Sequence, residues 1–279
     1  PFNILEVKAR IKAIMRRTVP RQQKQENQVK ALRKFILKGG DYIVLDPIVE
    51  PGWDAVLKEA KDANIPVIIA DRNVLVEDES LYTCRVGSDF MQEGRNAGEW
   101  LAKNLESRGR ENTDINIVTL QGTLGSTAQL GRTLGFAEVM EKHPNWNMLE
   151  YQSGDFTQAK AYEVMEYFLD TYDDIDVVIS ENDNMAFGAI EAIKEARLRL
   201  GRNGDIMIIS FDAVRDALLL VQKGEIAADF ECNPITAPLV EEIIQKLERG
   251  EAVEKVQYVE ETYFDYKMDI EMLLENRTY

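Results

Sequence analysis

The chain has 279 residues, of which 45% are hydrophobic and 29% are charged, a composition typical of a folded globular protein. Its formal net charge of −16 argues against nucleic acid or an anionic membrane as a partner for the body of the chain. Two cysteines and one histidine provide no disulfide framework, no zinc cluster and no Ser-His-Asp triad. No apolar run reaches about 18 residues, so we expect no insertion into a membrane.

Basic residues cluster at the start of the chain. Residues 1–38 contain eleven Lys or Arg against two acidic residues, a net charge of +9, which leaves −25 for the remainder. Such an arm is compatible with nucleic-acid binding, but a basic helix lying on an acidic body is the favoured interpretation. The pattern predicts an amphipathic helix over residues 1–19, ended by Pro20, and a second helix over residues 22–39.

Beyond residue 40, short apolar strands alternate with amphipathic helices. Strand Tyr42–Leu45, a helix over residues 52–63 and strand Val67–Ala70 predict a parallel β-α-β unit. Further strands are predicted at Cys84–Val86, Ile115–Leu120, Met148–Ser153, Val177–Ser180, Ile206–Ile209, Ile226–Phe230 and Val256–Val259. This spacing indicates parallel sheets covered by helices on both faces. A polar loop at residues 107–114 separates two such runs, so we expect an α/β fold of two lobes with a cleft between them.

Polar or aromatic residues follow almost every predicted strand. The candidate site residues at or near these ends are Asp46, Asp71, Arg72, Ser88, Arg132, Phe156, Asn182, Asp212 and Glu231. The carboxyl ends of parallel strands converge on one crevice, so we expect these side chains to line one site. Carboxylates, amides and arginine bind hydroxyl groups, and an aromatic face suits the C–H surface of a sugar ring. The set predicts a site for a neutral polyhydroxylated ligand.

Several of these residues also have a structural interpretation. Asp89 and Asp183 each open a predicted helix, and capping is the favoured role for both. Asp71 and Arg72 form a purely structural ion pair in one alternative, and Glu231 merely ends its strand in another. Residue types alone also leave open a carboxylate pair for glycoside hydrolysis. The chain has no G-x-G-x-x-G and no G-x-x-x-x-G-K-[ST] motif, so we expect no catalytic residues, no metal and no cofactor.

A resemblance to a known family rests on longer stretches. They include DYIVLDPIVEPGWD at residues 41–54, QGTLGSTAQLGRTLGF at 121–136, SGDFTQAKAYEVM at 153–165 and ENDNMAFGAIEAIKEA at 181–196. These stretches resemble the periplasmic sugar-binding proteins of ABC transporters, in the ribose/galactose type. QQKQENQ at residues 22–28 is similar to the galactofuranose-binding branch. The resemblance implies a periplasmic binding protein of type I, with two Rossmann-like lobes, parallel sheets and a hinge.

The resemblance also implies roles for single residues. The Asp-Arg pair that follows a strand in the family matches Asp71 and Arg72, which would hold ring hydroxyls. The arginine of the R-x-x-G-F helix start matches Arg132. The other matches are Phe156, Asn182 with Asp183 in support, Asp212, Glu231 in preference to Cys232, and Asp46 and Ser88 at lining positions.

The start of the chain departs from the family pattern. In the family, a first strand, a helix and a second strand precede QQKQENQ, so we expect the N-terminal lobe to lack its first β-α-β unit. Residues 1–20 resemble instead the last helix of a response-regulator receiver domain, which indicates a truncation, a fusion or an engineered chimera. The expected lobes are residues 21–88 plus 235–260 and residues 89–234 plus 261–279.

The function implied by the resemblance is solute binding. We expect a monomer whose lobes close on a monosaccharide, in furanose or pyranose form, and present it to the permease of an ABC transporter. The expected location is the periplasm, or a lipid-anchored position outside the cell, with the signal not in this chain. The alternatives are the ligand-sensing core of a sugar-responsive transcriptional regulator, a sensor fusion or chimera, and a sugar hydrolase.

Overall fold

The computed structural model describes residues 19–201, 204–275, 277 and 279. The helix predicted over residues 1–19, and with it the receiver-like segment, lies outside the described residues except at its last position. Helix α1 (Val19–Lys38) opens the described chain. Val19 and Pro20 already belong to α1. The second helix therefore does not begin at residue 22, as had been predicted.

Beyond α1, strands and helices alternate as predicted. In chain order they are β1 (Ile43–Leu45), α2 (Asp54–Asp62), β2 (Val67–Ala70), a 3₁₀ helix (Glu79–Leu81), β3 (Cys84–Gly87), α3 (Phe90–Glu106), β4 (Ile115–Gln121), α4 (Thr127–Met140), β5 (Trp146–Ser153), α5 (Gln158–Thr171), β6 (Val177–Ser180), α6 (Asp183–Glu195), β7 (Met207–Asp212), α7 (Arg215–Lys223), β8 (Ala228–Glu231), α8 (Ala237–Glu248), β9 (Val256–Tyr258), β10 (Tyr263–Asp265) and α9 (Ile270–Glu275). The sequence analysis had assigned no bounds to β10 and α9. None of the helices in the described ranges has the length and apolar character needed to cross a membrane.

The first sheet contains four parallel strands in the order β1-β2-β3-β9. Helix α2 covers one face, beside the fully buried Trp53. Val240 and Ile243 of α8 cover the other face, over β2 and β3. Strand β1 forms an edge of this sheet in the described part of the chain, and Val44 is 50% exposed there.

The second sheet contains six strands in the order β10-β8-β7-β6-β4-β5. Neighbouring strands are parallel except for β10, which pairs antiparallel with β8. Phe168 of α5 and Ile193 of α6 pack in the core on one face, and Leu101 of α3 and Phe136 of α4 pack in the core on the other. The predicted α/β class with two mainly parallel sheets is confirmed.

Three segments connect the two sheets and their helices. They are the turn between β3 and α3, the loop between β8 and α8, and the loop between β9 and β10. On the basis of these crossings we propose lobes of residues 21–88 plus 235–260 and residues 89–234 plus 261–279. The absence of a first β-α-β unit from the N-terminal lobe stays a prediction.

Helices α3 and α4 pack so closely that two glycines leave no room for a Cβ atom. A Cβ at Gly94 would clash with the carbonyl oxygen of Arg132, and one at Gly135 would clash with that of Met91. Glycine within a helix costs about 0.5–1 kcal/mol relative to alanine, so close contact between the helices outweighs local helix propensity here. The contact fixes the position of α4, which carries Arg132.

We expect Gly135→Ala to lower the free energy of unfolding by about 1–3 kcal/mol, because the added methyl group must separate two packed helices. The control is Gly40→Ala, whose Cβ would meet only the Tyr42 carbonyl oxygen at 3.8 Å. Urea denaturation followed by circular dichroism measures both. Equal stability of the two variants would contradict the packing described for α3 and α4.

Candidate functional site

A cavity of about 460 Å³ lies between the strand ends of the two sheets, within the size range of small-molecule sites. Asp46 and Asp71 line it from the ends of β1 and β2. Asp212 and Cys232 line it from the ends of β7 and β8, and Tyr279 completes this side. The cavity therefore brings together three of the predicted site residues from both lobes.

The two lobes touch beside this cavity. The backbone N–H of Glu50 donates to the carbonyl oxygen of Gly125 at 3.1 Å. The backbone N–H of Asn73 donates to the hydroxyl of Thr127 at 2.6 Å. Glu50 and Asn73 belong to loops of the first sheet, whereas Gly125 and Thr127 lie at the start of α4. The structure is thus a closed arrangement of the lobes.

Backbone strain is concentrated around the cleft. Seven described residues other than glycine have a positive φ, and five of them follow or end strands at the cleft: Asp71, Asp155, Phe156, Asp212 and Ala213. Such conformations cost about 1–3 kcal/mol each and cluster at functional sites. Here they turn the chain sharply at the strand ends, so that side chains project into the space between the sheets.

The pair Asp71 and Arg72 lies at the end of β2, as predicted. The Asp71 carboxylate is 3.8 Å from Arg72 Nε and 39% exposed, so most of its hydrogen-bonding capacity is unused. Arg72 Nη1 donates to the carbonyl oxygen of Ile48 at a long 3.4 Å. Arg72 Nε is buried and has no hydrogen-bond partner among the described residues. A buried donor without a hydrogen-bond partner is rare in proteins, and Arg72 directly follows Asp71, which lines the cavity.

Phe156 reaches across the cleft from the second sheet. Its ring centroid lies 5.6 Å from the guanidinium carbon of Arg72. The ring rests against Gly122, where any Cβ atom would overlap it. A cation over an aromatic ring is attracted by the ring quadrupole, so this contact helps to hold the lobes together and leaves an aromatic surface at the cleft.

Arg132 is almost completely enclosed, with 2% of its side chain exposed. Its Nε donates to Glu93 Oε2 at 2.6 Å, its Nη1 to the Glu181 carbonyl oxygen, and its Nη2 to Asp212 Oδ1 at 3.1 Å. Burial alone would lower the pKa of Arg132, but the charges of Glu93 and Asp212 outweigh it and raise the pKa well above its usual range. Arg132 therefore holds Asp212 in place and stays cationic.

Asn182 and Asp183 are mainly structural. Asn182 Oδ1 accepts from the Met185 N–H and so caps helix α6, which leaves the Nδ2 group of the side-chain amide as a hydrogen-bond donor. Asp183 accepts from the Ser210 hydroxyl at 2.6 Å and from the Val214 N–H at 2.8 Å. Asp183 is 1% exposed and so supports the loop that carries Asp212, consistent with the supporting role given to it from the sequence.

The end of β8 differs from the preferred prediction. Glu231 Oε1 accepts from Arg277 Nη1 at 2.8 Å and from the Tyr279 hydroxyl at 2.5 Å. Its Oε2 accepts from the Thr262 N–H at 3.1 Å. Both oxygens are bonded within the protein, and the next residue, Cys232, a free thiol, lines the cavity in place of Glu231. Successive side chains alternate in direction along a strand, so only one of the two can face the cleft.

Ser88 lies in the hinge and not on the cavity wall shared by Asp46 and Asp71. Its hydroxyl donates to Glu261 Oε1 at 2.5 Å, and the Asn233 N–H donates to the same oxygen at 2.8 Å. Ser88, Asn233 and Glu261 each belong to a different crossing between the lobes. The Glu261 carboxylate thus links all three crossings. The sequence analysis did not identify this residue.

The cleft is acidic, and the pKa of one of its carboxyl groups lies close to neutral pH. Enclosure by the cleft raises the pKa of Asp46 to about 6, with the charge of Asp71 adding to this rise and that of Arg72 opposing it. Burial also raises the pKa of Asp212, while Arg132 counteracts the shift. Carboxylates at these positions repel anions and accept hydrogen bonds from neutral hydroxyl groups.

A group with metal-ligand atoms lies nearby. Glu93, Cys232 and Glu261 place one such atom each within 4.8 Å of one another. The Arg132 cation is bound to Glu93, and the Ser88 hydroxyl is bound to Glu261. Because a protein cation already compensates this group, we assign it no metal.

Sequence reasoning missed Glu93 and Tyr279. Glu93 is 4% exposed and lies three residues after Phe90 and four before Ala97, on the buried face of α3. A charged residue on an apolar helix face was the signal that could have identified it. Tyr279 lies near no strand or motif, so no local pattern pointed to it.

Comparisons with known proteins identify the family of the chain. The family described as "Periplasmic binding protein domain" matches residues 6–234. The chain belongs to this family. The match begins within residues 1–20, so it gives the receiver-like interpretation of that segment no support.

Individual members of the periplasmic binding protein family show the same likeness. The galactofuranose-binding protein YtfQ of Escherichia coli is 40% identical over 266 residues, covering 94% of this chain and 81% of that protein. The binding component of the arabinose ABC transporter of Shewanella sp. ANA-3, bound to α- and β-L-arabinofuranose, is 41% identical with a TM-score of 0.85, covering 92% of this chain and 83% of that one. A structure from Mycobacterium smegmatis in complex with β-D-fucofuranose is 40% identical with a TM-score of 0.85, covering 91% and 82%.

We expect Arg132→Met to lower the free energy of unfolding by about 3–5 kcal/mol, because it leaves Glu93 buried and unpaired. Glu93→Gln in the same chain should restore part of this loss. The control is Arg95→Met, since the Arg95–Glu138 pair is 36% and 37% exposed and is worth about 0–1 kcal/mol. Urea denaturation at pH 7 measures all three variants. If Arg132→Met and Arg95→Met lower the free energy of unfolding by similar small amounts, Arg132 has no central structural role.

Proposed function

We propose that the chain captures a monosaccharide in the interlobe cleft for uptake by an ABC transporter. The observation that carries this proposal is the cavity with Asp46 and Asp71 on one side and Asp212 on the other. The names of the relatives describe binding, so we propose that the ligand is held and released without chemical change.

The chemistry of the cleft suits a sugar. Each carboxylate can accept two hydroxyl groups, and Arg72 can donate to a ring or hydroxyl oxygen. The face of Phe156 offers an apolar surface for sugar C–H groups. A ligand with many hydroxyl groups can bond all of these polar groups at once, which matters because a polar group left unpaired in a closed site costs about 1–3 kcal/mol.

Closure of the lobes follows from the same arrangement. A sugar bonded to Asp71 on one lobe and to Asp212 on the other makes contacts that exist only when the cleft is closed. Such a ligand shifts the population towards the closed form by its difference in affinity for the two forms. The three crossing segments, linked by Glu261, form the hinge of this motion.

The relatives support a sugar in furanose form. Their names record galactofuranose, L-arabinofuranose and β-D-fucofuranose as ligands, at 40% or 41% identity to this chain. We propose a five-membered ring form of a pentose or hexose as the ligand.

The partner and location follow the same reasoning. One relative is the binding component of an ABC transporter, so we propose an ABC permease as the partner. The proposed location is the periplasm, or a lipid-anchored position outside the cell. Because both walls of the cleft come from one chain, a second copy is not needed to complete the site, and we propose a monomer.

A thermal-shift screen with L-arabinose, D-galactose, D-fructose and D-ribose tests the proposal. A ligand at about 100 times its Kd stabilises the native state by about 2.7 kcal/mol, which raises the Tm of a chain of this size by about 5–10 °C. We expect at least one of these sugars to give such a shift. No shift with any of them would contradict the proposed function.

Asp71→Asn tests the site itself. The substitution keeps the size of the side chain and suits the positive φ of Asp71, because asparagine tolerates that conformation. Loss of charge-assisted hydrogen bonds should weaken sugar binding about 10- to 100-fold with the fold intact. Asp62→Asn, on the same lobe and paired only at the surface with Lys58, is the matched control and should bind as the wild type does. If Asp71→Asn binds sugar with wild-type affinity, the site does not lie at Asp71.

The pH dependence of binding reports on Asp46. Its pKa is about 6, and hydroxyl donors favour the ionised form. Sugar affinity should therefore fall about fivefold to tenfold as the pH drops from 7.5 to 5, because protonation removes a charged acceptor. Isothermal titration calorimetry measures the profile. The same fall in Asp46→Asn would show that another group is responsible.

A further inference from the structure

The end of the described chain returns to the cleft. Ile270 and Leu274 of α9 are buried in a core of the second lobe, and the Leu274 carbonyl oxygen accepts from Arg215 Nη1 at 3.1 Å. Beyond α9, the side chains of Arg277 and Tyr279 turn towards the ends of β7 and β8. The segment is therefore built onto the second lobe and moves with it.

Arg277 anchors this segment. Its Nε and Nη2 donate to the carbonyl oxygen of Ala213 at 3.1 and 2.7 Å, and its Nη1 donates to Glu231 Oε1 at 2.8 Å. The side chains of Arg277 and Glu231 are each 9% exposed, so water competes little with the pair. Ala213 directly follows Asp212, and the anchor therefore lies next to a candidate ligand residue.

Tyr279 is positioned by this anchor. Its ring lies 4.1 Å from the guanidinium carbon of Arg277, and its hydroxyl donates to Glu231 Oε1 at 2.5 Å. The hydroxyl and one face of the ring are thus both held. The residue lines the same cavity as Asp46, Asp71 and Asp212, with Asp46 and Asp71 on the other lobe.

We propose that Tyr279 forms an aromatic wall of the ligand cleft and restricts the size of the sugar that fits when the lobes close. The inference rests on the proposed function. The ring is held by the second lobe and lines the same cavity as carboxylates of the first, so closure brings it against a bound sugar. An aromatic face packs on sugar C–H groups, and a wall held in this way leaves no room for a substituent on that side.

The first test compares Tyr279→Ala, Tyr279→Phe and the wild type by isothermal titration calorimetry. The probes are the sugar of the screen that binds the wild type most tightly and the methyl glycoside of that sugar. Tyr279→Ala should lose about tenfold in affinity for the free sugar and should discriminate less against the glycoside. Tyr279→Phe keeps the ring and should stay within about threefold of the wild type on both probes.

Two controls separate a wall from a general effect on folding. Tyr167→Ala removes another tyrosine of the same lobe whose hydroxyl also donates to a glutamate, Glu150, at 3.3 Å, and it should bind as the wild type does. Tyr279→Trp adds ring volume at the wall and should reject the glycoside at least about threefold more strongly than the wild type does.

The outcomes are distinct. Unchanged affinity and unchanged discrimination in Tyr279→Ala would overturn the inference, as would equal losses in the Ala and Phe variants. If Tyr279→Ala does not fold, Tyr279→Trp decides. The inference is overturned if that variant discriminates between the free sugar and its methyl glycoside only as strongly as the wild type does. Failure of the wild type to bind any sugar of the screen would overturn the proposed function, and this inference with it.

Discussion

The guanidinium group of Arg132 joins four parts of the second lobe at the cleft. It extends from α4 and binds Glu93 on α3, the Glu181 carbonyl oxygen after β6 and Asp212 at the end of β7. The rings of Phe90 and Phe211 lie 5.4 and 4.9 Å from its central carbon. Removing a cation from water costs several kcal/mol unless its partners are in place. The site therefore depends on all of these partners being present together.

The cleft combines fixed charges with strained backbone, an arrangement that suits a neutral polar molecule. Asp71 and Asp212 both have positive φ, and each turns its carboxylate away from its strand into the cavity. The packing of the two sheets and the contacts of Arg85 and Arg132 hold these conformations: Arg85 donates to the Asp71 carbonyl oxygen at 2.7 Å. A pre-shaped polar site loses little conformational entropy on binding, because its groups are already ordered before the ligand arrives.

The sequence allowed the strand ends to be predicted, and with them three residues of the cavity wall, Asp46, Asp71 and Asp212. Strand Val67–Ala70 with Asp71 after it, and helix Gln158–Thr171 with Phe156 before it, lie where the apolar periodicity placed them. The choice between Glu231 and Cys232 was not predictable, because it depends on which side chain of a strand end faces inward, and a shift of one residue reverses that. Tyr279 is 48 residues from Glu231 in sequence, and such a contact follows only from the folded chain.

A crystal structure of the chain grown with its tightest-binding monosaccharide tests the central claim most directly. The account predicts sugar density in the cavity between the lobes, with hydroxyl oxygens within about 2.5–3.2 Å of Asp71 on one lobe and of Asp212 on the other. Density at a different place, or a sugar that contacts one lobe alone without a polar contact to Asp71, would contradict it.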